Sequence, residues 1–291
     1  MKNVNKIRMR ETIVSYCFLA PVLIFFVVFV LAPMIMGFVT SFFNYTMIDF
    51  TFVGIDNYVR MFNDEVFRKS LVNTLIIVIG SVPVVVIFSL FVASQTYERS
   101  MFARSFFRCV FFLPVVTGSV AVTVVWKWIY DPLSGILNYI LKAGHVIDQN
   151  ISWLGDSRYA LWAIIIILLT TSIGQPIILY IAALGNVDKS LVEAARVDGA
   201  AEFDVFWKIK WPSLLPTTLY IVVITTINSF QCFALIQLLT SGGPNYSTST
   251  IMYYLYEKAF KLSEYGYANT MGGVPGSSDR IDQFRTVQNS W

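Results

Sequence analysis

Charge is scarce in this 291-residue chain: Asp, Glu, Lys and Arg make up 13 % of it, against about 25 % in an ordinary soluble domain. Hydrophobic residues make up 56 %, which excludes a fold solvated by water on all sides. There is one histidine, His145, in the stretch 131–158 that opens with the turn signal "DPLSG" and reads as an external loop, so the His/Glu spacing of a zinc enzyme is missing. No GxxxxGK[ST] run occurs, which excludes a phosphate-cradling loop for nucleotide hydrolysis. The three cysteines, Cys17, Cys109 and Cys232, lie inside apolar segments and read as small hydrophobes, not as a disulfide framework. Ionisable residues are almost absent from those segments, Arg108 and Lys127 lying near their ends, so groups for ion-coupled transport are lacking.

What is present is a series of apolar runs, each of the roughly 20 residues a helix needs to cross hydrocarbon. Five spans are read, at about 13–40, 71–94, 105–130, 159–184 and 214–239. The first follows Lys2, Lys6, Arg8 and Arg10 but runs past Pro33 to Phe43, well beyond the 7–15 residues of a signal core, and is read as retained. Short-loop basic residues favour one side: the N-terminus, Arg99 and Arg104, and the cluster Lys189, Arg196, Lys208 and Lys210. That bias makes the chain multi-pass with a cytoplasmic N-terminus.

Between the spans, "FVGIDNYVRMF" gives a turn at Gly54 and a helix start near Asp56 within an external loop. Trp126, Trp128, Tyr130 and Trp153 fall where an interfacial aromatic belt would place them. Pro33, Pro83, Pro114 and Pro176 lie inside spans and should kink or break them, as helices lining a solute path can be. After the loop "TSGGPNYSTST", "IMYYLYEKAFKL" reads as a helix lying in the outer interface. From Gly272 to the end, 272–291, the chain turns polar and is expected to be poorly ordered.

The run "EAARVDGAAEFDVFWKIKWPSLLP", Glu193 to Pro216, sits between the last two spans. Lys189–Asp198 is rich in helix formers, Gly199 permits a left-handed turn, and "AAEFDVFWKIK" can form a second short helix ended by Pro212. Phe203, Phe206, Trp207 and Lys210 share a face of that helix. Such a stripe on a cytoplasmic loop either docks a partner or packs on the chain's own helices and the lipid interface.

The spacing of Glu193-Ala194-Ala195, Asp198-Gly199-Ala200, Phe206, Ile209, Pro212 and Pro216 closely resembles the "EAA" loop of permease subunits of bacterial ATP-binding-cassette importers. Further blocks, "FVGIDNYVRMF", "FFLPVVTGSVAVTVVWKWIYDPLSGILN", "IILYIAALGNV" and "ALIQLLTSGGP", resemble the carbohydrate-uptake branch, the permeases for maltose, glycerol 3-phosphate and multiple sugars, over about residues 12 to 271. The resemblance implies an all-α integral membrane fold: a bundle of kinked transmembrane helices over 1–271, with a cytoplasmic coupling helix pair at 189–213. It implies that Glu193, Ala194, Ala195, Asp198, Gly199 and Phe206 engage an ATPase. The implied partners are a second permease subunit, a cytoplasmic ATP-binding-cassette ATPase, an extracellular sugar-binding protein and membrane lipid, with no nucleic acid. ATP and Mg would lie on the ATPase, with no cofactor in this chain, which would reside in a bacterial plasma membrane. In that family a further helix starts near "YGYANTMG", where this chain carries its polar tail, leaving a truncated, non-functional permease as one alternative.

Polar residues in the fourth and fifth spans suit neutral sugar hydroxyls, and in maltose-type relatives the corresponding helices line the sugar site. The residues so assigned to a solute path are Thr170, Gly174, Thr225, Asn228, Ser229 and Gln231, with Cys232 on the same face as Thr225 and Ser229. Interhelical hydrogen bonding accounts equally for each of them singly. A secondary transporter or channel is the other alternative, and it leaves the Glu193–Pro216 run unexplained.

Overall fold

The computed structural model describes residues 2–273, and almost all of the regular structure is α-helical. Two compact units are formed, one by residues 2–64 and 255–273, the other by Glu65–Tyr254.

In the first unit, α1 (Lys2–Phe26) passes through a π turn at Val27–Leu31 into α2 (Ala32–Thr40). Val14–Thr40 is long and apolar enough to cross a membrane, and none of it is buried by the chain itself. A short hairpin follows, β1 (Phe43–Tyr45) antiparallel to β2 (Phe50–Phe52) with Phe43 opposite Phe52, then α3 (Asp56–Asn63). The turn expected at Gly54 is there, at φ +58°. Residues 265–273 are helical, so the segment "YGYANTMG" does begin a helix, while 274–291 lie outside the described residues. Polar contacts fasten this helix within the unit: the Tyr267 hydroxyl donates to Asp64 Oδ2 at 2.7 Å and Asn269 Nδ2 to Thr40 Oγ1 at 2.7 Å. Arg60 pairs with Glu264 at 2.8 Å and lies over the Tyr267 ring at 4.2 Å.

The second unit opens with α4 (Glu65–Tyr97), 33 residues that pass through Pro83 unbroken. The span expected at 105–130 is instead two helices, α5 (Met101–Val116) and α6 (Ser119–Ile129), bent by 98°. Pro114 weakens the end of α5, and Thr117 and Gly118 are extended, at ψ 126° and 144°, which redirects the chain. A short α7 (Ile136–Ala143) leads to α8 (Ala160–Ser172) and α9 (Gly174–Gly185), bent by 41° around Ile173. Pro176 sits in the first turn of α9, where its missing N–H costs nothing, and Ser89 Oγ donates to the Ile173 carbonyl at 3.4 Å.

Next come α10 (Lys189–Val197) and α11 (Glu202–Val205), which runs on through a π turn at Phe206–Lys210 into α12 (Trp211–Phe230). After α13 (Ala234–Leu239) and an ordered loop, α14 (Ile251–Tyr256) begins. Two apolar clusters hold the unit together: Ile77, Val122, Ile164, Ile167 and Ile236 toward one end, and Ala93, Ile177, Ile181, Leu214 and Ile221 toward the other. Among the described residues, three helices can span a membrane by length and composition, or up to five if each bent pair is one span.

Two expectations are corrected. Of the segment 251–262 assigned to the lipid interface, the first turn is core instead, with Ile251, Tyr253 and Tyr254 at 1 %, 1 % and 4 % exposure, while Phe260 and Leu262 at its end are exposed. Of the four belt aromatics only Trp128 is exposed. Tyr130 is buried and donates to the Ala163 carbonyl at 3.2 Å, while Trp153 donates to Asn138 Oδ1 at 2.9 Å, because each ring brings a polar atom that finds a partner inside the protein.

Candidate functional site

The segment 189–213 is a rigid surface element. Asp188 caps α10, accepting from the Ser190 amide at 2.8 Å and the Ser190 hydroxyl at 2.8 Å, contacts that hold its carboxyl below the ordinary value. The other end closes on Gly199: its N–H donates to the Arg196 carbonyl at 3.1 Å, and the Ala200 N–H to Ala195 at 2.9 Å. This is the paired 5→2 and 6→1 closure of a Schellman turn, with Gly199 at φ +82° in the left-handed position that a Cβ disfavours. Across the turn, Arg196 grips Glu202 through both carboxylate oxygens, at 2.6 and 3.1 Å, and the ion pair pulls the Glu202 carboxyl below its ordinary value.

The second helix does not end at Pro212. The Trp211 N–H donates to the Phe206 carbonyl, a π turn that offsets the ladder just before the proline, and α12 continues through it. The same arrangement precedes Pro33, where the Ala32 N–H reaches the Val27 carbonyl. The π turn also splits the predicted stripe. Phe203 and Trp207 stay exposed, at 73 % and 48 %, whereas Phe206 and Lys210 turn inward to a cleft of about 390 Å³ beside Tyr97 and Glu98. A second cleft, of about 400 Å³, is lined by Glu193, Arg196, Val192 and Lys210. Glu193, Ala194, Asp198 and Gly199 are exposed and Ala195 half-buried, so all but one of the residues assigned to ATPase engagement sit on or near one accessible surface, Phe206 facing inward.

A smaller cavity of about 150 Å³ lies between α5, the α8–α9 break and α12. Its polar walls are Thr171, Ser172, Gln175, Thr225 and Asn228. These are uncharged donors and acceptors, suited to hydroxyl groups. Among the described residues no three His, Cys, Asp or Glu side chains group to hold a metal ion.

Residues 58–268 match the family described as binding-protein-dependent transport system inner membrane component. The chain belongs to that family. Among curated proteins the permease is 33 % identical to the probable ABC transporter permease protein YurN of Bacillus subtilis (strain 168), over 91 % of each chain. It is also 33 % identical to the lactose transport system permease protein LacF of Rhizobium radiobacter, over 89 % of this chain and 88 % of that one. Its fold is similar to a chain in the crystal structure of a bacterial ABC transporter involved in the import of the acidic polysaccharide alginate, with TM-score 0.80 and 22 % identity over 94 % and 93 % of the two chains. The resemblance read from Glu193–Pro216 and the all-α membrane bundle are thus correct.

Within the permease, the residues assigned to a solute path separate. Thr225 and Asn228 line the small cavity. Thr170 is turned back on its own helix, donating to the Ile167 carbonyl at 2.7 Å. Gly174 is a close-approach glycine, where a Cβ would fall on the Phe111 carbonyl oxygen of α5. Ser229 is spent on Ser81, 2.9 Å away on α4, and Gln231 is exposed at the end of α12. Ser172 and Gln175 line the cavity in their place, with Thr171, whose hydroxyl also donates back to its own helix at the Leu168 carbonyl, 3.0 Å away. Glu98 was passed over because its partner Lys210 is 112 residues away, and no local spacing relates the two.

Proposed function

We propose that the permease is the transmembrane subunit of an ATP-driven importer that translocates a sugar or oligosaccharide by alternating access. In this reading a separate cytoplasmic ATPase, carrying ATP and Mg, seats on 189–213; a second permease subunit completes the path; and an extracellular binding protein delivers the solute. The N-terminus, the α4–α5 turn and 189–213 lie on the cytoplasmic side. The observation that carries the reading is the capped, turn-locked docking element made continuous with α12 by the π turn, so that displacement of the element tilts a membrane helix.

The sugar assignment is supported by the relative named for lactose transport and by the neutral polar lining beside α12. At about 150 Å³ that cavity is smaller than the ~300–1,000 Å³ of an ordinary ligand pocket, which fits one wall of a path whose other wall belongs to the partner permease.

The test is Glu193→Arg in the complex reconstituted with its co-expressed ATPase and partner permease. Membrane insertion should be normal, with uptake and binding-protein-stimulated ATPase both lost. Uptake at the unaltered rate would contradict the assignment.

A further inference from the structure

Lys210 is the last residue of the π turn, where the docking element becomes α12, and its ammonium lies 2.9 Å from Glu98 Oε1 just past the end of α4. The Lys210 side chain is only 15 % exposed and Glu98 is 58 % exposed, so the carboxylate reaches over a lysine held against the protein. Tyr97, Glu98, Leu184 and Lys210 line both cytoplasmic clefts, which makes the ion pair the wall between them. The turn bearing Glu98 is itself braced: Arg104 donates to the Tyr97 carbonyl and lies over the Tyr97 ring at 4.9 Å.

Two further levels tie α4 to the chain that follows Lys210. Ser81 meets Ser229 of α12 at 2.9 Å, about 25 Å along α4 from Glu98 at 1.5 Å per residue. At the start of α4, Ser70 donates to Ser249 Oγ at 2.8 Å, Asn73 to the Ser249 carbonyl at 2.9 Å, and Thr74 accepts from the Ile251 amide at 3.1 Å. α9 packs on both α4 and α12 in the apolar cluster around Ala93, Ile177 and Ile221; Ser89 of α4 reaches the Ile173 carbonyl at 3.4 Å and the Tyr180 hydroxyl of α9 donates to Thr218 Oγ1 of α12 at 3.1 Å.

Resting on the docking role given to 189–213 above, we propose that Glu98 and Lys210 are positioning residues for energy coupling. Their ion pair fastens α4 to the docking element, so that α4 moves with α12 when the element is displaced. The pair stays closed through the cycle. Coupling then reaches the bundle by two helices, and the turn after α4 takes part without touching the ATPase.

The test uses the full complex in proteoliposomes and reads solute moved per ATP hydrolysed. Glu98→Gln and Lys210→Gln should each lower that ratio about five-fold, the scale of losing one partly exposed ion pair, with assembly of the complex unchanged. The exchanged pair, Glu98→Lys with Lys210→Glu, should restore it. In a background with the exposed Cys17 and Cys109 replaced by alanine and the buried Cys232 left in place, Glu98→Cys and Lys210→Cys bridged by a short bis-methanethiosulfonate should still transport. An unchanged ratio in both single variants, failure of the exchanged pair to recover, or loss of transport on bridging that reduction reverses would each overturn the proposal. Glu193→Arg serves as control: if it abolishes uptake and stimulated ATPase while Glu98→Gln leaves the ratio unchanged, the clamp alone is wrong, whereas normal transport by Glu193→Arg removes the docking role itself.

Discussion

Replacing Gly199 by residues with a Cβ separates the backbone requirement of the docking turn from its side-chain contacts. A Cβ added there would meet no heavy atom within 4 Å, so the substitution introduces no clash. What changes is the cost of holding φ at +82°, about 1–2 kcal/mol for an L-residue other than glycine. Some 0.4–1 kcal/mol of this is returned, because alanine has fewer open conformations to lose than glycine. The net is about 1 kcal/mol, a roughly five-fold fall in the ratio of closed to open turn. Asparagine tolerates the left-handed region and should fall between glycine and alanine, and valine should be worst. Amide hydrogen exchange at Gly199 and Ala200 reads the ratio directly, since those N–H groups close the turn onto Arg196 and Ala195. Protection at Ala200, the position common to all variants, should run Gly, Asn, Ala, Val from highest to lowest. ATPase stimulation by the loaded binding protein should follow the same order. Equal protection in the glycine and valine forms would refute the turn argument.

Gly174→Ala should force α5 and α9 apart, because the new methyl falls on the Phe111 carbonyl, and the overpacking cost of ~1–3 kcal/mol should lower the melting temperature of the detergent-solubilised protein. Gly185→Ala, whose Cβ would make an ordinary 3.9 Å contact with Tyr97, is the control that should melt as the parent does. Ser81→Ala, Ser229→Ala and the double variant form a cycle whose coupling should be about 0.6 kcal/mol and no more than ~1.7, the range for hydrogen bonds between membrane helices; a coupling of zero would remove the middle tie. Asp188→Ala should speed amide exchange at the start of α10 through loss of the cap, and Asp188→Asn, which can still accept from the Ser190 amide, should not. Because the Asp188 carboxyl is held below its ordinary value, its contribution is complete above that value and fades as pH falls through the lowered one. Exchange in the parent should therefore be insensitive to the cap between pH 6 and 8, once the intrinsic base-catalysed rate is removed.

The runs of about 20 apolar residues were legible because bilayer thickness imposes a length that few soluble elements share. Prolines were weaker guides. Pro83 leaves α4 unbroken, while Pro114 precedes a bend of 98°, and the difference lies in the extended Thr117 and Gly118 that follow, which no periodicity reveals. Gly199 was readable as a turn because few residues accept a positive φ. The π turn was not, since a 3.6-residue period assigned Phe206 and Trp207 to one face and placed a stop at Pro212. The five-residue closure moves Phe206 inward and lets the helix continue. For the cavity, helical spacing put Thr225 and Ser229 together, but only the fold shows that Ser229 is taken by Ser81 and that Gly174 is consumed by close packing. Tyr130 and Trp153 looked interfacial by position, and their buried hydrogen bonds depend on Ala163 and Asn138, which are distant in sequence.

The account rests on 189–213 being the seat of a separate ATPase. The most direct measurement is co-purification of the permease with its co-expressed ATPase and partner permease, comparing the parent with Ala194→Arg, a change on the exposed face of α10. The account predicts that the variant inserts and retains the partner permease but loses the ATPase. Equal recovery of the ATPase with both forms would contradict it.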